Sequence, residues 1–278
     1  MPGLGRALGF SLVLLAFVAT GAGRAAAGTS YDAVVLADGP AVYLAMRNAG
    51  GTEPDLSGHG LTGTYVAGAG GTFTTTKLPD GEVATVFNGV DQYLEVPDAD
   101  ALSVPTTGAL TIEAWMRPDT LQFDHTEHEG YVHWLGKGED RQQEYVARMY
   151  NLTNSANRPN RISGYVYNLT GGLGAGSYFE DDLSAKPWIH YALVITTAPG
   201  EGCSTGYTRV YRDGALRATN CLSRYDITPG NGTAPLRVGT RDFASFFQGP
   251  VAKVAVYPAE LTAAQIESHH RAMYADAR

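Results

Sequence analysis

The chain has 278 residues, of which 44% are apolar and 10% aromatic, with 20 Lys and Arg against 28 Asp and Glu and only two cysteines. A net charge of −8 argues against nucleic acid as a partner, because phosphate binding needs an excess of cationic side chains. Two cysteines are too few for a structural zinc centre, and beyond the first 27 residues no apolar run approaches the roughly 20 residues of a membrane span.

Residues 1–27 read as a targeting segment: Arg6 supplies a charged start, residues 12–18 an apolar core, and Ala25, Ala26 and Ala27 the small residues of a cleavage site. On that reading the protein is secreted and its mature chain begins at Gly28. Removing Arg6 and Arg24 but no acid leaves a net charge of 18 − 28 = −10. Residues 28–278 contain no low-complexity linker and no repeat of fixed period, so they are expected to form one domain. The Ala/Gly/Arg-rich leader points to a bacterium, and the sequons at Asn151, Asn168 and Asn231 are accordingly read as turn residues.

Residues 31–44 open as a short helical turn and continue as a strand, divided by the Asp38-Gly39-Pro40 turn. The loop DLSGHGLTG (55–63) can hold a hard cation such as calcium through its carbonyls and the Asp55 carboxylate, although such loops also occur as plain turns. Residues 84–97, with Asn88-Gly89 between two alternating runs, and 109–118 read as strands. The loop FDHTEHEG (123–130) gathers Asp124, His125, Glu127, His128 and Glu129, a set able to bind metal or exchange protons or simply to rim a groove.

Three segments follow whose side chains alternate with the period of two of a half-buried sheet: 131–138, 144–150 and 161–168. Val132, Trp134, Tyr145, Ala147, Met149, Ile162, Gly164 and Val166 fall on one face. His133, Lys137, Glu144, Arg148, Tyr150, Arg161, Tyr165 and Tyr167 fall on the other. A merely solvated face is satisfied by Lys, Glu, Thr and Ser, whereas phenols interleaved with Arg and His are suited to stacking on sugar rings and binding hydroxyls or carboxylates. These eight residues are the candidate ligand-binding set. If the protein is an enzyme, His133, Arg148 and Tyr167 are the candidates for proton transfer and charge neutralisation in a polysaccharide β-elimination.

GGLGAG (171–176) reads as a flexible turn beside that face, since it lacks the Lys and the strand–helix setting of a phosphate loop. Residues 187–197 read as a strand buried on both faces, and 207–211 and 215–220 as a hairpin around Asp213-Gly214. Cys203 and Cys221 flank that hairpin, and in a secreted chain they are expected to form a disulfide. Residues 235–240 and 249–257 supply the last strands. The one convincing helix is terminal, where Thr262 and Gln265 form a capping box ahead of Ile266, His270 and Met273.

The succession VFNGVDQYLEVP, LTIEAWMRP, PWIHYALVIT, YRDG, PLRVG and FFQGPVAKVAVYPAELTAAQI resembles the laminin G-like, concanavalin A-like jelly-roll family of secreted bacterial proteins, over most of residues 31–275. The resemblance implies an all-β fold, two antiparallel sheets packed as a sandwich with a short C-terminal helix, and ligands taken on the concave sheet face or at an edge loop. It implies a polysaccharide or other glycan as partner, with no cofactor required beyond an optional structural calcium. The fold also serves glycosidases, lyases and protein-binding adhesion modules, so a sugar-active enzyme using the same face and a cell-surface adhesion module are the alternatives. The alternate-position carboxylates of the fold's glycosidases are absent. Where many relatives carry an acidic pair in the last strand this chain has Ala252 and Lys253, which weakens the expectation of calcium near Asp55.

Overall fold

The computed structural model describes residues 1, 3 and 30–275; apart from residues 1 and 3, the segment read as a leader lies outside the described residues. In chain order come α1 (Tyr31–Ala37), β1 (Val42–Leu44), β2 (Thr52–Glu53), β3 (Gly63–Val66), β4 (Thr74–Lys77), β5 (Val83–Asn88), β6 (Tyr93–Val96), α2 (Val104–Thr107) and β7 (Ala109–Met116). They are followed by β8 (Tyr131–Lys137), β9 (Tyr145–Tyr150), β10 (Ile162–Val166), β11 (Ala175–Phe179), β12 (Ile189–Thr196), β13 (Tyr207–Arg212), β14 (Ala215–Cys221), β15 (Leu236–Val238), β16 (Gln248–Tyr257) and α3 (Ala263–Ala272). Two eight-stranded antiparallel sheets form a sandwich. One runs β14-β13-β12-β7-β16-β5-β4 with β1 on β16, and the other β11-β10-β9-β8-β15-β6-β3-β2. No described helix is long and apolar enough to cross a membrane.

The sheets lock through large rings in close-packed contact. Trp134 of β8 meets Tyr191 of β12 edge-on at 5.0 Å, and the Tyr191 hydroxyl donates to the carbonyl of Ser163 (3.2 Å). A Cβ at Gly164 would lie 2.5 Å from that hydroxyl, so β10 admits the ring only because it has no side chain there. The other face of β7 is also buried, and Glu113 and Trp115 are as inaccessible as Ile112. The reason is α3, which starts at the Thr262–Gln265 capping box and stacks His270 on Trp115 at 5.7 Å. His269 reaches further, placing Nδ1 2.7 Å from Glu113 and Nε2 2.9 Å from Asp38 at the end of α1.

The Asp55 carboxylate accepts the backbone amides of Tyr43 (3.0 Å), Ser57 (2.9 Å) and Leu61 (3.0 Å), so it closes its own loop. Burial alone would raise its pKa, but the Ser57 side chain and these amides hold it below the usual carboxylate value. Lys253 is buried at a register shift in β16, where its ammonium donates to Asp32 (2.6 Å) and to Glu82. The cation between these acids is thus a side chain.

Cys203 and Cys221 form a disulfide that ties the approach to β13 to the end of β14, across a hairpin whose turn residues Asp213 and Gly214 both have positive φ. The bond closes a separation of 18 residues. Cys203→Ser with Cys221→Ser should therefore lower unfolding free energy by about 3 kcal/mol, read as a shift in the urea midpoint that reductant reproduces in the wild type and does not produce in the variant.

Candidate functional site

On the outer side of β8–β11 lies a cleft of about 660 Å³. Its position follows from register: His133 stands opposite Arg148, Arg148 opposite Ser163, and Tyr165 opposite Gly176. β11, which begins inside the segment 171–176 read as a flexible turn, is an edge strand, and the glycines at its start are needed for packing. A Cβ on Gly176 would sit 2.2 Å from the Tyr165 ring and one on Gly174 2.6 Å from the Tyr167 ring. Both rings therefore lie against bare backbone.

Five of the eight expected residues, Arg148, Tyr150, Arg161, Tyr165 and Tyr167, line the cleft. Three do not. Trp134 is an extra residue in the β8–β9 ladder, where the register shifts between His133 and Leu135, and beyond it the alternation of β8 is inverted. Lys137 consequently pairs with Tyr145 rather than with an outward neighbour. It is wholly buried, where its ammonium meets Glu144, Asp98 (2.8 Å) and the Gly232 carbonyl (3.0 Å). Glu144, just before β9, is buried in the same ion pair and accepts the Gly232 amide (3.1 Å).

His133 is the third, only 1% exposed. Its Nε2 accepts Arg148 Nε–H at 3.2 Å, which assigns the ring proton to Nδ1, 2.8 Å from Glu127. Burial is the main cause that brings its pKa down to about 4, against the raising pull of Glu127. Glu127 also accepts from Ser245 (2.7 Å); burial raises its pKa, but His133 and Ser245 outweigh that and hold it at about 2. The loop 123–130 thus contributes one carboxylate, which orients His133, which in turn orients Arg148. Glu127, His133 and Asp242 are close enough to hold a metal. As the bonds stand, however, neither nitrogen of His133 offers a free lone pair, and Arg241 is paired with Asp242.

The Arg148 guanidinium is packed among phenols. Its carbon lies 3.8 Å from the centre of the Tyr131 ring and 4.7 Å from that of Tyr165. It donates to the hydroxyls of Tyr167 (2.9 Å) and, at 3.5 Å, Tyr150. Tyr131, Tyr150 and Tyr167 are buried, so they build the floor. The exposed rings are at the rim: Tyr178, 39% exposed beneath Arg161 at 3.8 Å, and Tyr225, 40% exposed.

Sequence reasoning missed Tyr131, Arg158, Tyr178, Arg224 and Tyr225. Extending the period of two through residues 175–179 would have found Tyr178. Arg224 and Tyr225 had no such signal, because they arrive on the turn Leu222–Tyr225 directly after Cys221.

The family model described as the concanavalin A-like lectin/glucanases superfamily matches residues 88–267. No curated protein matches. Solved structures that resemble the chain include the receptor binding domain of botulinum neurotoxin C/D mosaic serotype, at 10% identity and TM-score 0.60, covering 84% of this chain and 51% of that one. The botulinum neurotoxin serotype D ligand binding domain in complex with N-acetylneuraminic acid has 12% identity and TM-score 0.60, over 87% and 52% of the two chains. Domain 4 of the extracellular arabinanase AbnA from Geobacillus stearothermophilus, in complex with arabinotriose, has 16% identity and TM-score 0.54, over 83% and 97%. The chain spans about half the length of the toxin domains it matches, and at these identities the likeness is one of fold.

Proposed function

We propose, for a chain that belongs to the concanavalin A-like lectin/glucanases superfamily, that it is a secreted carbohydrate-binding protein holding a glycan in the cleft over β8–β11. The observation that carries this reading is the arrangement of rings: exposed Tyr178 and Tyr225 on the rim of a cleft whose floor is phenol hydroxyls and planar guanidinium donors. Sugars present both an apolar ring face and a fringe of hydroxyls, and a cleft of this size with convergent polar groups suits them. The disulfide fits an oxidising, extracellular setting.

Tyr178→Ala and Tyr225→Ala should each weaken glycan affinity by about 1 kcal/mol, roughly five-fold. Calorimetry with a glycan selected from an array reads the affinity, and thermal unfolding should be unchanged because both rings are at the surface. Unaltered affinity in both variants would move the ligand off this rim.

A further inference from the structure

We propose that the sugar this cleft receives is carboxylated, and that Arg148 is the residue that takes its carboxylate; the proposal rests on the carbohydrate reading above. The observation is a pattern among the arginines. Arg47, Arg117, Arg141, Arg161, Arg209, Arg212, Arg217, Arg237, Arg241 and Arg271 each lie within ion-pair distance of a carboxylate. Among the described residues only Arg148, Arg158 and Arg224 do not, and all three line this one cleft. An acidic protein, with 28 acids to 20 bases, has left its unpaired guanidinium groups in a single place.

Charge at the lining points the same way. Four arginines, 148, 158, 161 and 224, face one acid, Glu129. Glu180 neutralises Arg161 at 2.6 Å, and His133 stands between Glu127 and Arg148. Glu129 offsets Arg158 in part, and Arg224, whose partner is the Asn220 side chain, has no carboxylate beside it. A cleft of this sign on a chain of net charge −8 draws an anionic ligand and holds it more weakly as salt rises.

Arg148 is also prepared for the task. A guanidinium has five N–H donors. Nε–H is given to His133, and one hydrogen on each terminal nitrogen goes to Tyr150 and Tyr167, which leaves two. Glu127 and His133 fix the Nε edge, and the rings of Tyr131 and Tyr165 lie against the group. A partly enclosed cation costs free energy unless its donors are used. A carboxylate accepting the two remaining hydrogens completes the set with the charge-assisted geometry for which arginine, and not lysine, is suited.

The test uses the disulfide-intact protein on an array of oligouronates and sialylated glycans, each beside a carboxyl-reduced counterpart and a sulfated neutral oligosaccharide, followed by calorimetry on the best binder. We expect reduction of the carboxyl to weaken binding at least ten-fold. Arg148→Lys, which keeps the positive charge, should weaken the acidic ligand about ten-fold with the unfolding temperature preserved. Equal affinity before and after carboxyl reduction would overturn the carboxylate assignment while leaving the carbohydrate reading standing. Tighter binding of the sulfated glycan would overturn it in favour of a general anion site. Acid-dependent binding that Arg148→Lys leaves intact would remove Arg148 from the role. Binding of no glycan, charged or neutral, would overturn both proposals together.

Discussion

Lys137→Met lowers the unfolding free energy by roughly 3–5 kcal/mol, the cost of stranding one member of a buried ion pair. Lys137 has no solvent-accessible surface, and Glu144 beside it is 2% exposed, so water cannot take over the lost interaction. Burial already pushes the Glu144 carboxyl above its ordinary value, and Lys137 is the largest influence pulling it back. Without Lys137 the carboxyl rises further and binds a proton. The deficit should therefore be larger at pH 8 than at pH 4.5, where a protonated Glu144 is no longer a buried charge. Replacing both residues, Lys137→Met with Glu144→Leu, should recover most of the loss, since apolar groups of similar volume need no partner. Urea unfolding of the three variants at both pH values reads this out, and a pH-independent deficit would show that packing rather than charge is responsible.

Glu113→Gln should cost a similar amount, with a pH profile that identifies the partners. Glu113 is wholly buried on β7 and accepts Tyr31 OH (3.0 Å) beside His269 Nδ1 (2.7 Å). Burial opposes its charge, but His190, whose Nε2 lies 3.7 Å away, and His269 outweigh it and hold its pKa at about 2, below the ordinary 4.5. Burial likewise opposes protonation of His269, but Glu113 and Asp38 raise it above the ordinary 6.5. A depressed carboxyl contributes stability above 4.5 that is lost as pH falls toward 2. A raised imidazole contributes stability below 6.5 that is lost as pH climbs through its folded value. The gap between wild type and Glu113→Gln should accordingly be widest between about pH 4.5 and 6.5 and narrow on either side. Denaturation midpoints at pH 3, 5.5 and 9 test it; a gap that keeps growing to pH 9 would mean His269 is not the charged partner.

The cluster of Glu113, His269 and Asp38 also explains how the back of the sandwich is closed. It joins β7, α3 and the end of α1, three elements far apart in sequence, so its loss should release the terminal helix before the sheets separate. The cleft lies on the other sheet, and its ligand binding should be less affected than stability in the Glu113 variant.

The sequence by itself determined the strands, the Asp213-Gly214 hairpin, the Cys203–Cys221 bond and the capped terminal helix, because each is written in alternation, turn chemistry, spacing or caps, and the sandwich that the strands build was implied by resemblance to the jelly-roll family. It also placed Arg148, Tyr150, Arg161, Tyr165 and Tyr167 on one face, since a strand of regular pleat turns spacing directly into direction. Only the tertiary structure decided what was inside that face and what was at its edge. One extra residue at Trp134 inverted the alternation and sent Lys137 into a buried ion pair, and no local pattern marks a bulge. Glu127 and His133 read as chemistry from the sequence, yet their geometry makes them supports for Arg148. Arg224 and Tyr225 reach the cleft from a turn more than fifty residues beyond Tyr167. Such a meeting depends on how strands of two sheets cross, which periodicity within any one strand does not encode.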